Sequence, residues 1–112
     1  MLRGMAFAGP NIWATIHSEA VTYTPENAEA FRAFIYSQTS LLPCEKCRKH
    51  FKENLNNYPL DDYLDSNHNL FFWTYLIHDI VNKSLGKKSP PYDQVKRKYF
   101  DALASECKGC KI

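Results

Sequence analysis

The sequence predicts an all-α fold, in which five short helices joined by brief loops pack as a bundle. Apolar residues recur at helical spacing through most of the 112 residues, and no segment shows the strict alternation of a half-buried strand. Proline and glycine interrupt the helical pattern at short intervals. The length and the 45% hydrophobic content favour one compact domain.

Composition argues against several kinds of partner. The net charge of +2 is too small to indicate nucleic-acid binding. No apolar run reaches the roughly 18 residues of a membrane span, so no membrane association is expected. The N-terminal stretch MLRGMAFAGP holds too short an apolar segment for a secretory signal. We therefore expect a soluble protein that is not secreted by the standard route.

Prolines delimit the first two helices. Gly9 and Pro10 start a helix over about 10–22, and the second helix starts with Thr24 as cap and Pro25 at the first helical position. Each helix has one apolar face. The face of the first helix comprises Trp13, Ile16, His17 and Ala20. The face of the second comprises Ala28, Phe31, Phe34, Ile35 and Leu42.

The third and fifth helices follow further prolines. Pro43 breaks the second helix, and a third begins at or near Cys44 and ends before Tyr58. The fifth helix spans about 91–106. Its inward residues are Tyr92, Val95, Tyr99 and Leu103.

The fourth helix has two apolar faces. Ser66 or Asn67 caps it and Gly86 ends it. One face comprises Trp73, Leu76, Ile77 and Ile80. The opposite face carries Thr74, His78 and Asn82, flanked by Phe71, Tyr75, Val81 and Leu85. Because a solvated face would be charged, we expect this second face to contact something other than water.

Two cysteine pairs suggest redox or metal chemistry. Cys44 and Cys47 occupy the first turn of the third helix, where the helix dipole and unpaired N–H groups favour a thiolate. Nearby positive charge comes from Lys46, Arg48, Lys49 and Lys52. A redox dithiol, a pair of structural cysteines and a zinc site are all compatible with this spacing. Cys107 and Cys110 form a second pair, which is read as a shuttle disulfide, an inert pair or half of a metal site.

Aromatic and imidazole side chains suggest a slot for a flat heteroaromatic ring. Trp13 and His17 share a helical face, as do His78 and Asn82. A lone histidine on an apolar helix is more often a satisfied core residue. Flavin is the natural planar ligand for a redox dithiol, and the absence of G-x-G-x-x-G excludes a Rossmann mode of binding. Positive charge for phosphates, or merely for solvation of the helix ends, comes from Lys83, Lys87, Lys88, Lys96 and Lys98.

Together these parts resemble the Erv/ALR sulfhydryl oxidases, FAD-dependent enzymes that form disulfide bonds. The resemblance covers residues 9–103 and rests on three motifs in a fixed order. They are Trp13-x-x-x-His17, Pro43-Cys44-x-x-Cys47 and Trp73-x4-His78-x-x-Val81-Asn82-x-x-Leu85-Gly86-Lys87. It implies a four-helix bundle with a short fifth helix and with FAD at the bundle mouth. It also implies an N-terminal extension over 1–8, an oxidase domain over 9–106 and a cysteine tail over 107–112.

The resemblance also implies the site. Cys44 would exchange with a dithiol protein substrate, and Cys47 would lie against the flavin and pass two electrons to it. Molecular oxygen would then be reduced to hydrogen peroxide, and Cys107 and Cys110 would act as the shuttle. The implied cofactor-binding residues are Gly9, Trp13, His17, His78, Val81, Asn82, Lys87, Lys98 and Tyr99.

Relatives of this kind are commonly dimers through the first two helices, and we expect a homodimer here. Phe31, Phe34, Ile35 and Tyr36 spread over more than one face of the second helix, which leaves apolar surface for a partner. The short chain resembles the viral members, which implies the infected-cell cytoplasm or the virion. Asp79 stands where the family usually has asparagine, so a hydrogen bond is expected to differ there.

Two other interpretations compete with that of an enzyme. One is a zinc-stabilised helical interaction module that uses both cysteine pairs. The separation of Cys47 from Cys107 is far longer than the roughly 15–20 residues of common zinc ribbons. The other is a helical adaptor in which the first cysteine pair is incidental. The zinc module also leaves Trp13, His17, His78 and Asn82 unexplained.

Overall fold

Five α-helices build the structure. The computed structural model describes the backbone of residues 3–108 and the side chains of residues 10–103. The helices are α1 (Arg3–Val21), α2 (Ala28–Leu41), α3 (Glu45–Asn57), α4 (Asn67–Ser84) and α5 (Tyr92–Lys108). Short 3-10 helices occupy Pro25–Asn27 and Leu60–Tyr63, and residues 3–108 contain no strand. The all-α prediction is confirmed.

Helix α1 begins earlier than the sequence signals indicate. It starts at Arg3 and keeps Pro10 in its interior, whereas the predicted start was at 10. The stretch before the proline mixes strong helix formers (Arg3, Met5, Ala6 and Ala8) with Gly4 and Gly9, so intrinsic propensity does not account for the extension. The same helix therefore runs through the predicted boundary between 1–8 and 9–106.

The other boundaries follow local signals more closely. The side chain of Ser66 accepts a hydrogen bond from the N–H of Asn69 at 3.1 Å, which is the predicted cap of α4. Gly86 adopts φ of 73°, a left-handed conformation that favours glycine just after a helix. Thr24 has the extended backbone of a cap, but its side chain caps no helical N–H, and Pro25 opens a 3-10 turn before α2.

The core lies where α1 packs against α4 and α5, while α2 packs against α3. Trp73 is buried at the centre of α4, and its indole N–H donates to the carbonyl of Tyr58 at 2.9 Å. Leu76 and Ile80, predicted on the packed face, are only partly buried.

The second face of α4 also packs against other helices. Phe71 is fully buried there, and its ring lies 5.3 Å from that of Phe100 and 6.0 Å from that of Tyr99, both on α5. Helix α5 has 17 residues, compared with 14 in α2 and 13 in α3, so it is not shorter than the other helices. Within the described range, no helix has the length and apolar character needed to cross a bilayer.

Candidate functional site

A cavity of about 180 Å³ lies at the junction of α1, α4 and α5. The segment between α4 and α5 closes one side, because the Tyr75 hydroxyl donates to the carbonyl of Pro90 at 2.5 Å and the Asn82 amide donates to the Ser89 hydroxyl at 3.1 Å. The cavity is lined by His17, Tyr75, His78, Asp79, Asn82, Ser89, Pro90, Gln94, Val95, Lys98 and Tyr99. Aromatic and imidazole rings, one amide and one lysine thus converge on a small space.

Two histidines and a threonine form a hydrogen-bonded chain beside the cavity. His17 is 2% exposed on α1, and its Nδ1 lies 2.9 Å from Oγ1 of Thr74. Its other ring nitrogen, Nε2, lies 3.0 Å from Nδ1 of His78. These contacts join α1 to α4 and fix the plane of each ring.

Trp13 extends the chain into an aromatic stack. Its ring lies 4.2 Å from that of His78, with 4° between the two planes. Tyr99 approaches His17 from α5, with 5.2 Å between ring centroids. A wall of flat side chains of this kind suits stacking on a heteroaromatic ring.

Both histidines are neutral at physiological pH. Burial, and then the neighbouring His78, lower the pKa of His17 to about 3. Burial, and then the charge of Lys87, lower the pKa of His78 to about 4, against a smaller opposing effect of Asp79. Neutral imidazoles can both donate and accept hydrogen bonds, so the pair is suited to recognition of a polar ring edge.

An ionised carboxylate sits at the cavity rim. A hydrogen bond with Ser89 and the ion pair with Lys83, at 3.0 Å, lower the pKa of Asp79. The hydroxyl of Ser89 also accepts from Asn82, so this serine links the two α4 side chains. The aspartate therefore takes part in a local network on α4 and the segment after it.

The first cysteine pair opens α3 as predicted. Cys44 is the N-cap with an extended backbone, and its Sγ accepts a hydrogen bond from the N–H of Cys47 at 3.3 Å. Both are free thiols, each half-buried. Arg48 donates from its guanidinium to the carbonyl of Leu42 at 2.5 Å, which ties the end of α2 to the start of α3.

The two thiols differ in acidity. Hydrogen bonds from the side chain and then the backbone of Cys47 lower the pKa of Cys44. Burial, followed by the hydrogen bond and charge of Cys44, raises the pKa of Cys47 to about 11. The predicted effect of the helix start therefore holds for Cys44, whose pKa is lowered by backbone hydrogen bonds from Cys47 and Lys46, but not for Cys47. Lys46 and Arg48 do lower the pKa of Cys47, but burial outweighs them.

The structure brings together most of the predicted cofactor residues. His17, His78, Asn82, Lys98 and Tyr99 line the cavity, and Trp13 stacks on one of them. The predicted residues with described side chains that do not line it are Trp13, Val81, Lys87, Cys44 and Cys47. Gly9 lies in α1, but its surroundings fall outside the described side chains, as does the side chain of Cys107, and Cys110 lies outside the described residues altogether.

Several residues of the site were not among the predicted cofactor-binding residues. Thr74 shares the face of His78, and that spacing was the available signal. Ser89, Pro90 and Gln94 reach the cavity because the chain folds back after α4, and no local pattern indicates that path. Among residues with described side chains, no three histidine, cysteine or acidic groups cluster as metal ligands.

Known proteins similar to this chain share one description. A sequence model of the Erv1 / Alr family matches residues 10–100. A probable FAD-linked sulfhydryl oxidase of Acanthamoeba polyphaga mimivirus is 39% identical over 87 residues, which are 73% of this chain and 61% of that protein. An FAD-linked sulfhydryl oxidase of African swine fever virus is 34% identical over 99 residues, 85% of this chain and 82% of that protein.

A plant protein shows the same similarity at lower identity. The FAD-linked sulfhydryl oxidase of Arabidopsis thaliana is 28% identical over 108 residues, which are 93% of this chain and 55% of that protein. This chain therefore spans less than two thirds of the mimivirus and plant proteins.

Proposed function

We propose that this chain, which belongs to the Erv1/Alr family, is a flavin-linked thiol oxidase that forms disulfide bonds in dithiol proteins. The observation that carries the proposal is the dithiol at the start of α3, whose two sulfurs differ in acidity. The pKa of Cys44 is lowered and that of Cys47 is raised to about 11. The lowered pKa of Cys44 suits the sulfur that exchanges with substrate, because a thiolate of low pKa is readily expelled from a mixed disulfide.

The cavity residues fit part of a flavin dinucleotide. At about 180 Å³ the cavity is smaller than the roughly 300–1,000 Å³ of pockets that enclose a whole ligand, so it accommodates one ring system and leaves the rest outside. Trp13 and His78 supply flat surfaces, Asn82 supplies an amide, and Lys98 supplies positive charge for a phosphate. Gly9, Val81 and Lys87 are proposed as further contacts on the resemblance alone.

Substrate oxidation begins with Cys44 and Cys47 joined as a disulfide. A substrate thiolate attacks Sγ of Cys44, the Cys44–Cys47 bond breaks, and Cys47 leaves with the electron pair. A second substrate thiolate attacks the mixed disulfide and expels Cys44, which gives the substrate disulfide and the reduced pair. The lowered pKa of Cys44 makes it a good leaving group in this second step.

The reduced pair must then lose two electrons. Bound FAD supplies a two-electron acceptor that can pass electrons to molecular oxygen, which yields hydrogen peroxide. The protein's part is to hold Cys47 half-buried against the core and to keep Cys44 three residues away, ready to re-form the disulfide. Cys47 is proposed as the cysteine nearer the flavin.

A tail shuttle and a homodimer complete the proposal. Cys107 and Cys110 would accept electrons from a protein substrate and pass them to the first pair.

A homodimer through α1 and α2 is supported by an open groove of about 350 Å³. The groove is lined by Glu19, Thr22, Tyr23, Asn27, Ala30, Phe31 and Phe34. Location in the infected-cell cytoplasm or the virion stays a prediction.

Cysteine variants test the oxidase proposal. With a small dithiol as substrate, the wild type should consume oxygen and release hydrogen peroxide, whereas Cys47→Ser should keep bound flavin and lose turnover. Glu53→Gln, an exposed change on α3 outside the dithiol and its neighbouring cations, is the control and should retain activity. Normal turnover in Cys47→Ser would exclude its proposed role.

Cys110→Ser should slow oxidation of a reduced protein but not of the small dithiol, and unchanged rates for both would exclude the shuttle.

The zinc-stabilised module has less support. Its four ligands would include Cys107 and Cys110, whose side chains are not described. Such a module gives no reason for the stacked tryptophan and histidine or for the cavity beside them. Metal analysis of the purified protein separates the two proposals, since the module requires about one zinc per chain.

A further inference from the structure

The buried hydroxyl of Thr74 determines the proton order beside the cavity, that is, which ring nitrogens of His17 and His78 carry a proton. Thr74 is fully buried on α4, and its Oγ1 lies 2.7 Å from the carbonyl oxygen of Phe71. Two oxygens at this separation repel each other unless a hydrogen lies between them, and the carbonyl has none to give. The hydroxyl of Thr74 therefore donates to Phe71.

Thr74 is left only as an acceptor toward His17. Nδ1 of His17 lies 2.9 Å from the same oxygen, and the single hydroxyl hydrogen is already used. Nδ1 must therefore carry a proton. Because the His17 ring is buried and its pKa is lowered to about 3, the ring is neutral and holds one proton only. Its Nε2 is unprotonated.

The same reasoning passes to His78. Its Nδ1 lies 3.0 Å from the unprotonated Nε2 of His17, so Nδ1 of His78 must be the donor. With its pKa lowered to about 4, His78 is also neutral, and its own Nε2 is unprotonated. No described residue hydrogen-bonds this Nε2, yet no fully buried side-chain nitrogen or oxygen of the described residues lacks a partner. This atom is therefore accessible, on a residue that lines the cavity.

We propose that Thr74 is a positioning residue that holds His17 and His78 as Nδ1–H tautomers, so that His78 presents Nε2 to the cavity as a hydrogen-bond acceptor. The cofactor part rests on the proposed function: the group recognised is an N–H or O–H donor of bound FAD. With the reverse proton order the same side chains would present a donor and select an acceptor such as a carbonyl or phosphate oxygen. Thr74 thus determines whether His78 accepts a hydrogen bond from the ligand or donates one to it, although Thr74 does not contact the ligand itself.

Removal of the hydroxyl should reverse the order. In Thr74→Val, which keeps the shape of the side chain, Nδ1–H of His17 would be buried without an acceptor. The ring should therefore move its proton to Nε2 and donate to His78, which in turn becomes the Nε2–H form. Thr74→Ser keeps the hydroxyl and should keep the wild-type order.

Nitrogen NMR of the protein labelled with ¹⁵N-histidine and free of flavin measures the tautomers directly. His17→Gln and His78→Gln assign the two signals. We expect Nδ1–H at both positions in the wild type and in Thr74→Ser, and Nε2–H in Thr74→Val. FAD titration should show binding about tenfold weaker in Thr74→Val and unchanged in Thr74→Ser.

Two results would overturn the proposal. One is an Nε2–H His78 in the wild type, and the other is an unchanged tautomer in Thr74→Val. If Thr74→Val does not fold, the wild-type spectrum still decides the proton order, and loss of that order in Thr74→Ser would count against the hydroxyl. Nδ1–H signals in a protein that does not bind FAD would refute the proposed function and leave the proton order standing.

Discussion

As the pH is lowered, protonation linked to His17 should destabilise the protein at a higher pH than protonation of the protein's carboxylates does. The folded state lowers the pKa of this histidine from 6.5 to about 3, because the ring is 2% exposed and faces His78. Below pH 6.5 the unfolded chain therefore binds a proton on the His17 ring that the folded chain does not bind. Stability is full above that pH and falls as the pH is lowered, until the folded pKa is reached.

The size of the effect follows from linkage. At pH 5 the unfolded His17 is almost fully protonated and the folded one is not, so the loss relative to pH 7.5 is about 2 kcal/mol for this residue alone. The pKa of His78 is also lowered, so His78 adds to the loss, but less per unit shift because its ring is only partly buried. The lowered pKa of Asp79 acts only at more acid pH.

Urea unfolding at pH 7.5 and pH 5 tests this reasoning. The difference in unfolding free energy between the two pH values should shrink by about 2 kcal/mol in His17→Gln, whatever the absolute stability of that variant. His68→Gln changes an exposed histidine of α4 and serves as the control. Equal pH dependence in the wild type and His17→Gln would refute the argument that burial keeps this ring neutral.

Three further predictions concern the stack of Trp13 and His78, the dithiol turn and the end of α4. His78→Ala should weaken FAD binding at least tenfold in a fluorescence titration, while His68→Ala, an exposed residue of the same helix that stacks on Phe100, should not. Arg48→Met removes the donor to the end of α2 and should lower the unfolding free energy by about 1–2 kcal/mol, against less than about 0.5 for Lys49→Met. Gly86→Ala, at φ of 73°, should cost about 1 kcal/mol and lower the melting temperature; no change would refute the strain argument.

Local signals predicted the helices well because each signal acts over one turn. Ser66 caps α4 and Gly86 follows its end as the residue types indicate. Pro10 misled the prediction of α1, since a proline that often starts a helix here lies inside one. The residues on its N-terminal side include two glycines as well as helix formers, so neither the proline nor local propensity indicates where this helix begins.

The site was predictable where helical spacing places its residues. His78 and Asn82 follow from one face of α4, and Trp13 and His17 from one face of α1. The part of the cavity formed by Ser89 and Pro90 was not predictable. The path of the chain after α4 depends on long-range hydrogen bonds, such as that from Tyr75 to the segment before α5. The lowered pKa of Cys44 was predictable from the sequence, because its capping position is a local feature. The raised pKa of Cys47 was not, because burial is a property of the whole fold.

The visible absorption spectrum of the purified protein tests the central claim most directly. The proposed thiol oxidase should show a flavin spectrum that bleaches when a dithiol is added and returns in air. If flavin has been lost in purification, added FAD should restore this behaviour. A protein that does not bind added FAD, or whose bound flavin is not bleached by a dithiol, would contradict the claim.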